Sequence, residues 1–440
     1  MTSSSAPTPS AATAESAPAL RLQDRIGAGL QALRYPAFVL AITAGFLAAT
    51  GASAIGAALA DLVYRLSGGD ALVQGVLYWI SATPFVIVPL LGGVLADRLD
   101  RRVVWLCTAA AQTVLALLLA VAEQDEAAPV LLVFAVSFAF SIAAATATPV
   151  QQAIVANLVP APALGSAVGL VWASYGLGAV VGPLAAVPLK SAGGTTAVCL
   201  FLAAAMFAAT LCILALRRFV ATPAPPPETT SSRGAGLREA LAYAVGKPVV
   251  MPVVGLTAVV ACCGFSVVAL LSVFAYSVLG LTFSGYSTFL IVVSLGSILG
   301  GVAASFTGRR SGPRMAALQL ACVAVALGVF AFSLDPHLSY AAIALVAFVS
   351  VWLVTSLEVV LQYTVDDEHR GRVMAAFLVV RSGLVPFGAL ALGALAEATS
   401  PQSAVATYAL VALASAAAFS LWALRSGSVR SWPRRGQSAA

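Results

Sequence analysis

Two ionisable residues, Glu358 and Arg381, lie within long apolar stretches of the sequence. A carboxylate in such surroundings accepts a proton or a cation, and an arginine acts as its counter-charge or binds an anionic ligand. The alternative is structural, with Glu358 reaching a polar interface and Arg381 only joining helices. Asp61 and Gln362 are weaker candidates: Asp61 precedes Arg65 by the four residues typical of a surface ion pair on a helix, and Gln362 is a candidate cavity-lining residue.

The composition places these residues in a membrane protein. Hydrophobic residues make up 60% of the chain, charged residues make up only 9%, and the mean hydropathy is +0.98. Apolar runs long enough to cross a hydrocarbon core of about 30 Å recur along almost the whole length. The runs lack the alternation of polar and apolar residues that is typical of a transmembrane β-barrel, so the predicted fold class is an all-α membrane protein.

Twelve transmembrane helices are predicted, in two sets of six. The first set comprises Ala37 to Ala60, Ala71 to Leu95, Val103 to Ala122, Ala128 to Thr148, Leu164 to Leu189 and Thr195 to Leu216. The second set comprises Val249 to Val278, Gly285 to Phe306, Met315 to Phe332, Ser339 to Tyr363, Val373 to Leu395 and Ala404 to Leu424.

Basic residues assign the orientation, because Lys and Arg beside membrane spans are retained on the cytoplasmic side. If both termini are cytoplasmic, twenty basic residues fall inside, Arg65 and Lys190 fall outside, and Arg381 lies within a span. This asymmetry predicts an even number of spans and two cytoplasmic termini. The net charge of +6 then reflects topology and attraction to anionic lipid, so no nucleic acid partner is expected.

The segments between and beside the spans define the domain organisation. We expect a disordered cytoplasmic tail over residues 1–35 with no cleaved signal peptide, and a Pro-rich cytoplasmic linker over residues 218–247. The linker joins an N-terminal six-helix bundle at residues 36–217 to a C-terminal bundle at residues 248–424. Residues 425–440 form a basic cytoplasmic tail.

The residues that usually carry enzymatic or metal chemistry give no signal. All six cysteines fall inside predicted spans, and the two histidines lie far apart in loops. No phosphate-binding loop or clustered catalytic constellation is visible. We therefore expect no cofactor, no metal site and no enzymatic activity.

A short sequence occurs twice, 208 positions apart. Residues 92–102 read Gly-Gly-Val-Leu-Ala-Asp-Arg-Leu-Asp-Arg-Arg, and residues 300–310 read Gly-Gly-Val-Ala-Ala-Ser-Phe-Thr-Gly-Arg-Arg. The duplication indicates two related halves. Paired membrane repeats that rock against each other are a common basis of alternating access, so the duplication predicts a transporter.

The first copy resembles the loop motif between helices 2 and 3 of the major facilitator superfamily, in which Gly is followed after three residues by Asp-Arg and then by Gly-Arg-Arg. The matching residues are Gly93, Asp97, Arg98, Arg101 and Arg102, with Asp100 in place of the usual Gly. The second copy retains Gly301, Arg309 and Arg310, and Ser305 replaces the acid.

The resemblance implies a gating role for this motif. Asp97 would cap the N-terminus of helix 11, which carries a partial positive charge, when the cytoplasmic side is closed. The motif would then form a latch between the halves. The alternative is that these charges only end helix 2 at the lipid headgroups.

Helix 5 resembles a pattern associated with exporters of the superfamily. Gly169, Gly178, Gly182 and Pro183 match it, whereas Ala186 and Val187 replace its final pair of glycines. This resemblance favours efflux over uptake. The alternative is ordinary close packing of helices through small residues.

Two further stretches resemble the branch that contains enterobactin exporters and macrolide efflux proteins. They are the residues after helix 4, which include Pro149, Gln152 and Pro160, and the run Arg370-Gly-Arg-Val-Met at the start of helix 11. Members of that branch are thought to export lipophilic or peptide-like molecules with the proton gradient. Gln151 and Asn157 depart from it, because Arg and Asp are expected there.

Together these features predict a secondary active transporter of the plasma membrane, acting as a monomer. It would export a small lipophilic molecule, such as a drug, a secondary metabolite or a siderophore-like compound, by alternating access as a proton antiporter. Its partners would be the substrate, protons or another coupling ion, and membrane lipids. The alternatives are a proton-coupled uptake symporter on the same fold and, more remotely, a non-transporting membrane sensor.

Overall fold

Helices account for nearly all of the ordered secondary structure, as the hydropathy pattern predicts. The structure is a computed structural model, and it describes residues 30–91, 100–122, 130–216, 247, 249–307 and 312–425. The predicted N-terminal tail, the central linker and the C-terminal tail therefore lie almost entirely outside the described residues. Eleven of the described helices are long and apolar enough to cross a membrane.

The helices of the first half are labelled α1 to α6. They are α1 (Pro36–Leu66), α2 (Ala71–Ala82, continued by Pro84–Leu91), α3 (Arg101–Ala122), α4 (Val130–Leu158), and α5 and α6, which share the element Leu164–Leu216. The second half contains α7 (Val250–Val278), α8 (Phe283–Thr307), α9 (Pro313–Phe332), α10 (Pro336–Thr364), α11 (Asp367–Ala398) and α12 (Pro401–Arg425).

The element Leu164–Leu216 contains two membrane spans. Its 53 residues would form a helix about 80 Å long, far more than the hydrocarbon core of about 30 Å. The backbone leaves the helical region at Gly193 (φ −152°, ψ 26°) and Gly194 (φ 67°, ψ −163°), and a positive φ is open to glycine without strain. Residues 164–192 form α5 and residues 195–216 form α6, which makes twelve spans among the described residues.

Several helices extend past the limits that hydropathy predicts. α1 continues from the predicted end at Ala60 to Leu66, and α4 continues from Thr148 to Leu158 with Pro149 inside it. α11 begins at Asp367 instead of Val373. Hydropathy marks where a helix meets the edge of the hydrocarbon, whereas backbone hydrogen bonding continues into the headgroup region.

α7 is the least regular of the spans. Wide turns of the π-helical type occupy Val260–Phe265 and Phe274–Val278, and a tighter 3₁₀ segment lies between them at Ser266–Leu270. Such wide turns are rare and occur frequently at functional sites. Most of α7 is buried, and Phe274 packs against Phe330 with ring centroids 4.4 Å apart.

Glycines bring α5 and α1 into close contact. A Cβ atom on Gly178 would lie 2.7 Å from Cβ of Ala49, and one on Gly182 would lie 2.8 Å from the backbone nitrogen of Ala54 and overlap the carbonyl oxygen of Thr50. In the second half, a Cβ on Gly388 of α11 would similarly lie 2.9 Å from Cα of Cys262 in α7. The two halves thus use the same device at corresponding helix pairs.

We expect Gly182→Ala to destabilise the folded protein by about 1 to 3 kcal/mol, the usual cost of overpacking. The reason is that the added methyl group has no space against the α1 backbone. Gly169→Ala is the matched control, because a Cβ there meets nothing within 4 Å and alanine has the higher helix propensity. Unfolding midpoints of the two variants in detergent provide the measurement. A Gly182→Ala midpoint equal to that of the parent protein would contradict this packing role.

Candidate functional site

The structure brings Glu358 and Arg381 together. Nη1 of Arg381 on α11 donates a hydrogen bond to Oε2 of Glu358 on α10 over 3.3 Å. Glu358 is followed by six residues of α10, which ends at Thr364, and Arg381 lies near the middle of α11. The side chains of Arg381 and Glu358 are 37% and 31% exposed.

The exposure of this pair constrains what it faces. Charged groups inside membrane spans almost always face the bundle interior or a water-filled cavity, because lipid hydrocarbon cannot solvate them. Gln362 lies one turn beyond Glu358 on α10 and is also exposed, so the two share a face of the helix. Glu358, Gln362 and Arg381 therefore provide a polar strip where proton binding and substrate binding are chemically feasible.

Asp61 on α1 is buried and accepts hydrogen bonds from three helices. Asp61 is 5% exposed. Its carboxylate accepts hydrogen bonds from Nε of Arg65 over 3.0 Å, from the hydroxyl of Tyr276 over 2.6 Å, and from Nζ of Lys190. The predicted ion pair with Arg65 is present, but its predicted surface location is wrong for Asp61. Helix α1 continues past it, and α5 and α7 cover the carboxylate.

Aromatic and hydroxyl groups extend the contacts around Asp61. The hydroxyl of Tyr64 lies 2.6 Å from Oγ of Ser277, and the rings of Tyr64 and Tyr276 have centroids 4.7 Å apart. Nζ of Lys190 lies 4.2 Å above the centre of the Phe283 ring, within the range of a cation–π interaction.

Most of these side chains lie between the two halves of the protein, towards the ends of helices that the basic residues assign to the extracellular side. Helices α1 and α5 belong to the first half, whereas α7 and α8 belong to the second. We use the name outer cluster for Asp61, Tyr64, Lys190, Tyr276 and Ser277.

A second set of contacts between the halves joins α2 to α11. The backbone N–H of Ala71, at the start of α2, donates to Oε2 of Glu397 over 3.3 Å. A Cβ on Gly75 would lie 2.9 Å from the carbonyl oxygen of Ala389, so the helices approach closely. Glu397 lies near the end of α11 and is exposed, yet it also has a hydrogen-bond partner in the other half.

The third set joins α5 to α8. Oγ of Ser294 donates to the carbonyl oxygen of Ala179 over 3.3 Å, and a Cβ on Gly176 would lie 3.0 Å from Cγ1 of Ile298. Together with the outer cluster and the α2–α11 contact, these interactions join the two halves.

Much of the predicted gating motif is absent from the described part of the chain. Gly93, Asp97, Arg98, Arg309 and Arg310 lie outside the described residues, so the proposed latch stays a prediction. Arg101 and Arg102 begin α3, and the backbone N–H of Arg102 donates to Oδ1 of Asp100 over 2.9 Å. Asp100 therefore provides a cap for α3 that glycine, the usual residue, does not provide.

The glycines of the other motifs differ in their surroundings. In the second copy, a Cβ on Gly301 would meet nothing within 4 Å, whereas one on the neighbouring Gly300 would overlap the backbone of Phe348 in α10. In the helix 5 motif, Gly178, Gly182 and Pro183 are buried, whereas Gly169 faces open space.

Sequence reasoning missed Lys190, Tyr276 and Tyr64 as site residues. The sequence does distinguish Lys190, because it is the one lysine assigned to the extracellular side. The two tyrosines carry none, since aromatic residues near span ends are ordinary interface anchors. Within the described residues, no group of three His, Cys, Asp or Glu side chains is placed to hold a metal ion.

Known proteins share this architecture. The family model described as Major Facilitator Superfamily matches residues 41–389. No curated protein sequence matches the chain significantly. Among solved structures, a bacterial homologue of the human lysosomal transporter Spinster, in an inward-facing and unoccupied conformation, is 17% identical with a TM-score of 0.67, and the match covers 94% of this chain and 99% of that one.

Two further solved structures show the same fold at low identity. A POT family transporter in complex with 5-aminolevulinic acid is 11% identical with a TM-score of 0.71, covering 88% of this chain and 96% of that one. A D-xylose–proton symporter is 16% identical with a TM-score of 0.64, covering 87% and 96%. Because the family model spans most of the chain, the protein belongs to the major facilitator superfamily, and it is a transporter rather than an enzyme.

Proposed function

We propose that this transporter exports a small lipophilic molecule in exchange for protons, with Glu358 as the proton acceptor and Arg381 as its counter-charge. The observation that carries the proposal is the hydrogen-bonded pair itself, a carboxylate and a guanidinium within membrane spans that keep about a third of their surface exposed. Charged side chains cost free energy to place within a bilayer, so a charged pair in membrane spans is by default a candidate functional site.

Protonation of Glu358 would change the state of the whole pair. An ionised carboxylate compensates the charge of Arg381, whereas a neutral one leaves a cation within the spans without a counter-charge. A conformation that gives Arg381 access to water then becomes more favourable. Proton binding at Glu358 would thereby shift the balance between inward-open and outward-open states, because any ligand that prefers one state shifts the population towards it.

The outer cluster supplies the other requirement of alternating access, a barrier that opens. Tyr276 of α7 donates to Asp61 of α1 across the two halves, and Lys190, which pairs with Asp61 within the first half, contacts the Phe283 ring of the second. We propose that these contacts hold the extracellular side closed and separate when substrate leaves. The predicted motif around Asp97 would perform the corresponding task on the cytoplasmic side.

The direction of transport and the substrate class rest on sequence features. Gly178, Gly182 and Pro183 match the pattern associated with exporters. The spans consist mainly of apolar residues, and an apolar interior suits a lipophilic substrate better than a sugar. The similarity to a D-xylose–proton symporter concerns the fold alone. Plasma membrane location and a monomeric state belong to the same proposal.

We expect cells that contain the protein to retain less of at least one compound from a panel of lipophilic antibiotics, dyes and siderophores. A protonophore should abolish the difference, since the gradient drives the exchange. Retention measured with and without the protein, each with and without protonophore, tests both points. Increased retention that the protonophore abolishes would favour proton-coupled uptake instead.

We expect Glu358→Gln to reduce proton-driven transport to background while the protein still inserts, because glutamine has the size of glutamate but does not take up a proton. Transport into vesicles with an imposed proton gradient is the measurement. Asp335→Asn is the matched control on the same helix, because asparagine also caps a helix N-terminus and that site lies at the other end of α10.

A second comparison separates proton binding from stability. Arg381→Gln leaves Glu358 without its counter-charge, and the double variant Glu358→Gln/Arg381→Gln removes both charges. If the pair acts as described, the double variant should regain folded yield relative to Arg381→Gln without regaining proton-driven transport. Normal proton-driven transport by Glu358→Gln would exclude this acid from the mechanism.

We expect Asp61→Asn to open the extracellular side. Hydrogen bonds to charged groups contribute about 1.5 to 3 kcal/mol each, so the ratio of open to closed molecules should rise roughly ten- to a hundred-fold. Spin labels at Ser191 and Ser403, exposed positions in different halves, report the distance by pulsed electron paramagnetic resonance after replacement of the six native cysteines.

Arg65→Gln is the control for this measurement. The Arg65 side chain is 54% exposed, and its removal leaves the contacts of Asp61 with Lys190 and Tyr276 in place, so a much smaller shift is expected. An unchanged distance distribution in Asp61→Asn would contradict a closing role for the outer cluster. The outcome does not depend on knowing the substrate.

A further inference from the structure

We propose that a groove between α9 and α12 binds one anionic phospholipid of the cytoplasmic leaflet, with an acyl chain in the groove and the headgroup at Arg314. The groove has a volume of about 460 Å³, within the range of about 300 to 1,000 Å³ of small-molecule sites. The residues that form it are mainly small, among them Ala317 and Ala321 of α9, and Ala416, Ala417 and Ser420 of α12.

The groove lies on the outer surface of the second half, where hydrocarbon surrounds the protein. Large apolar side chains beside it and further along the same helices are exposed, including Leu318 at 65%, Val325 at 61% and Leu410 at 66%. Surfaces of this kind contact acyl chains in a membrane. A groove floored by alanine leaves room for a chain to lie between the two helices.

The groove is at the cytoplasmic end of both helices. α9 begins at Pro313 and α12 ends at Arg425, and Arg314 and Leu424 both line the groove. The basic residues that flank the spans assign these two ends to the cytoplasm. A lipid bound here would therefore come from the inner leaflet, which carries the anionic headgroups.

The described charged residues at the groove, Arg314 and Arg425, are both positive. Arg314 lines the groove and Arg425 directly follows Leu424; both side chains are exposed, and neither forms an ion pair with any other described residue. In the sequence, residues 308–314 and 422–440 contain no Asp or Glu. The same two segments contain seven arginines, Arg309, Arg310, Arg314, Arg425, Arg430, Arg434 and Arg435.

This combination distinguishes a specific site from ordinary contact with the bilayer. Small residues alone would accept the chain of any lipid, and a basic terminus alone would attract anionic headgroups without fixing one lipid in place. Here the guanidinium of Arg314 lies at the cytoplasmic end of the groove, where the phosphate of a lipid with its acyl chain in the groove would lie. The geometry therefore points to a phospholipid with net negative charge.

The test uses phosphatidylglycerol as the probe and phosphatidylcholine as its uncharged counterpart. The purified protein is titrated with each lipid in detergent, and native mass spectrometry counts the bound molecules. We expect one phosphatidylglycerol to bind preferentially. Arg314→Gln should weaken its binding about fivefold, the change that corresponds to one basic residue at an anionic surface.

Ala417→Phe should remove the preferential binding, because the new ring occupies the groove. The matched controls are Ala418→Phe, an exposed position on the same helix that does not line the groove, and Arg34→Gln, which removes an exposed arginine from the cytoplasmic end of the first half. Both controls should bind phosphatidylglycerol as the parent protein does.

Two results would overturn the proposal. Equal binding of phosphatidylcholine and phosphatidylglycerol would show that headgroup charge plays no part. Equal phosphatidylglycerol binding by Arg314→Gln, Ala417→Phe and the parent protein would show that any bound lipid is elsewhere. If Ala417→Phe does not fold, Arg314→Gln against Arg34→Gln decides the question. Neither result bears on whether the protein exports its substrate.

Discussion

A charged side chain inside a bilayer must have a partner or reach water, and the described structure is organised around that constraint. Asp61 meets it with three donors on three helices. Glu358 and Arg381 meet it with each other and with partial exposure. The rest of the described interior is mainly apolar, with uncharged polar side chains such as Gln74 and Gln151 buried in it. Packing holds it together, and glycines allow close packing where α5 crosses α1 and where α11 crosses α7. The few charges therefore determine where helices can separate.

The two charged sites differ in the helices that they join. Asp61 takes partners from both halves, and its hydrogen bond from Tyr276 breaks when the halves separate on that side. The pair of Glu358 and Arg381 lies wholly within the second half, so the proton binding that we propose for Glu358 needs no movement between the halves. One site is thus suited to follow the conformation and the other to determine it. This division of roles follows from which helices supply the side chains.

Hydropathy was sufficient to predict the membrane spans, since each span is a local property of about twenty consecutive residues. The pairing of Glu358 with Arg381 could only be a hypothesis, based on how few charged residues the spans contain. The two residues lie 23 positions apart on separate helices, and no local sequence pattern indicates that they are in contact. The burial of Asp61 could not be predicted: Lys190 and Tyr276 lie 129 and 215 positions away. The wide turns in α7 left no mark in the sequence, because Val260–Phe265 and Phe274–Val278 contain ordinary span residues.

The wide turn at Phe274–Val278 contains Tyr276 and Ser277, two consecutive residues that both contact α1. Consecutive residues of a regular α-helix point about 100° apart, so a regular helix would direct one of them away from α1. A wide turn holds one extra residue and so brings the directions of consecutive side chains closer together. The contacts that join α7 to α1 therefore depend on a local departure from α-helical hydrogen bonding in α7.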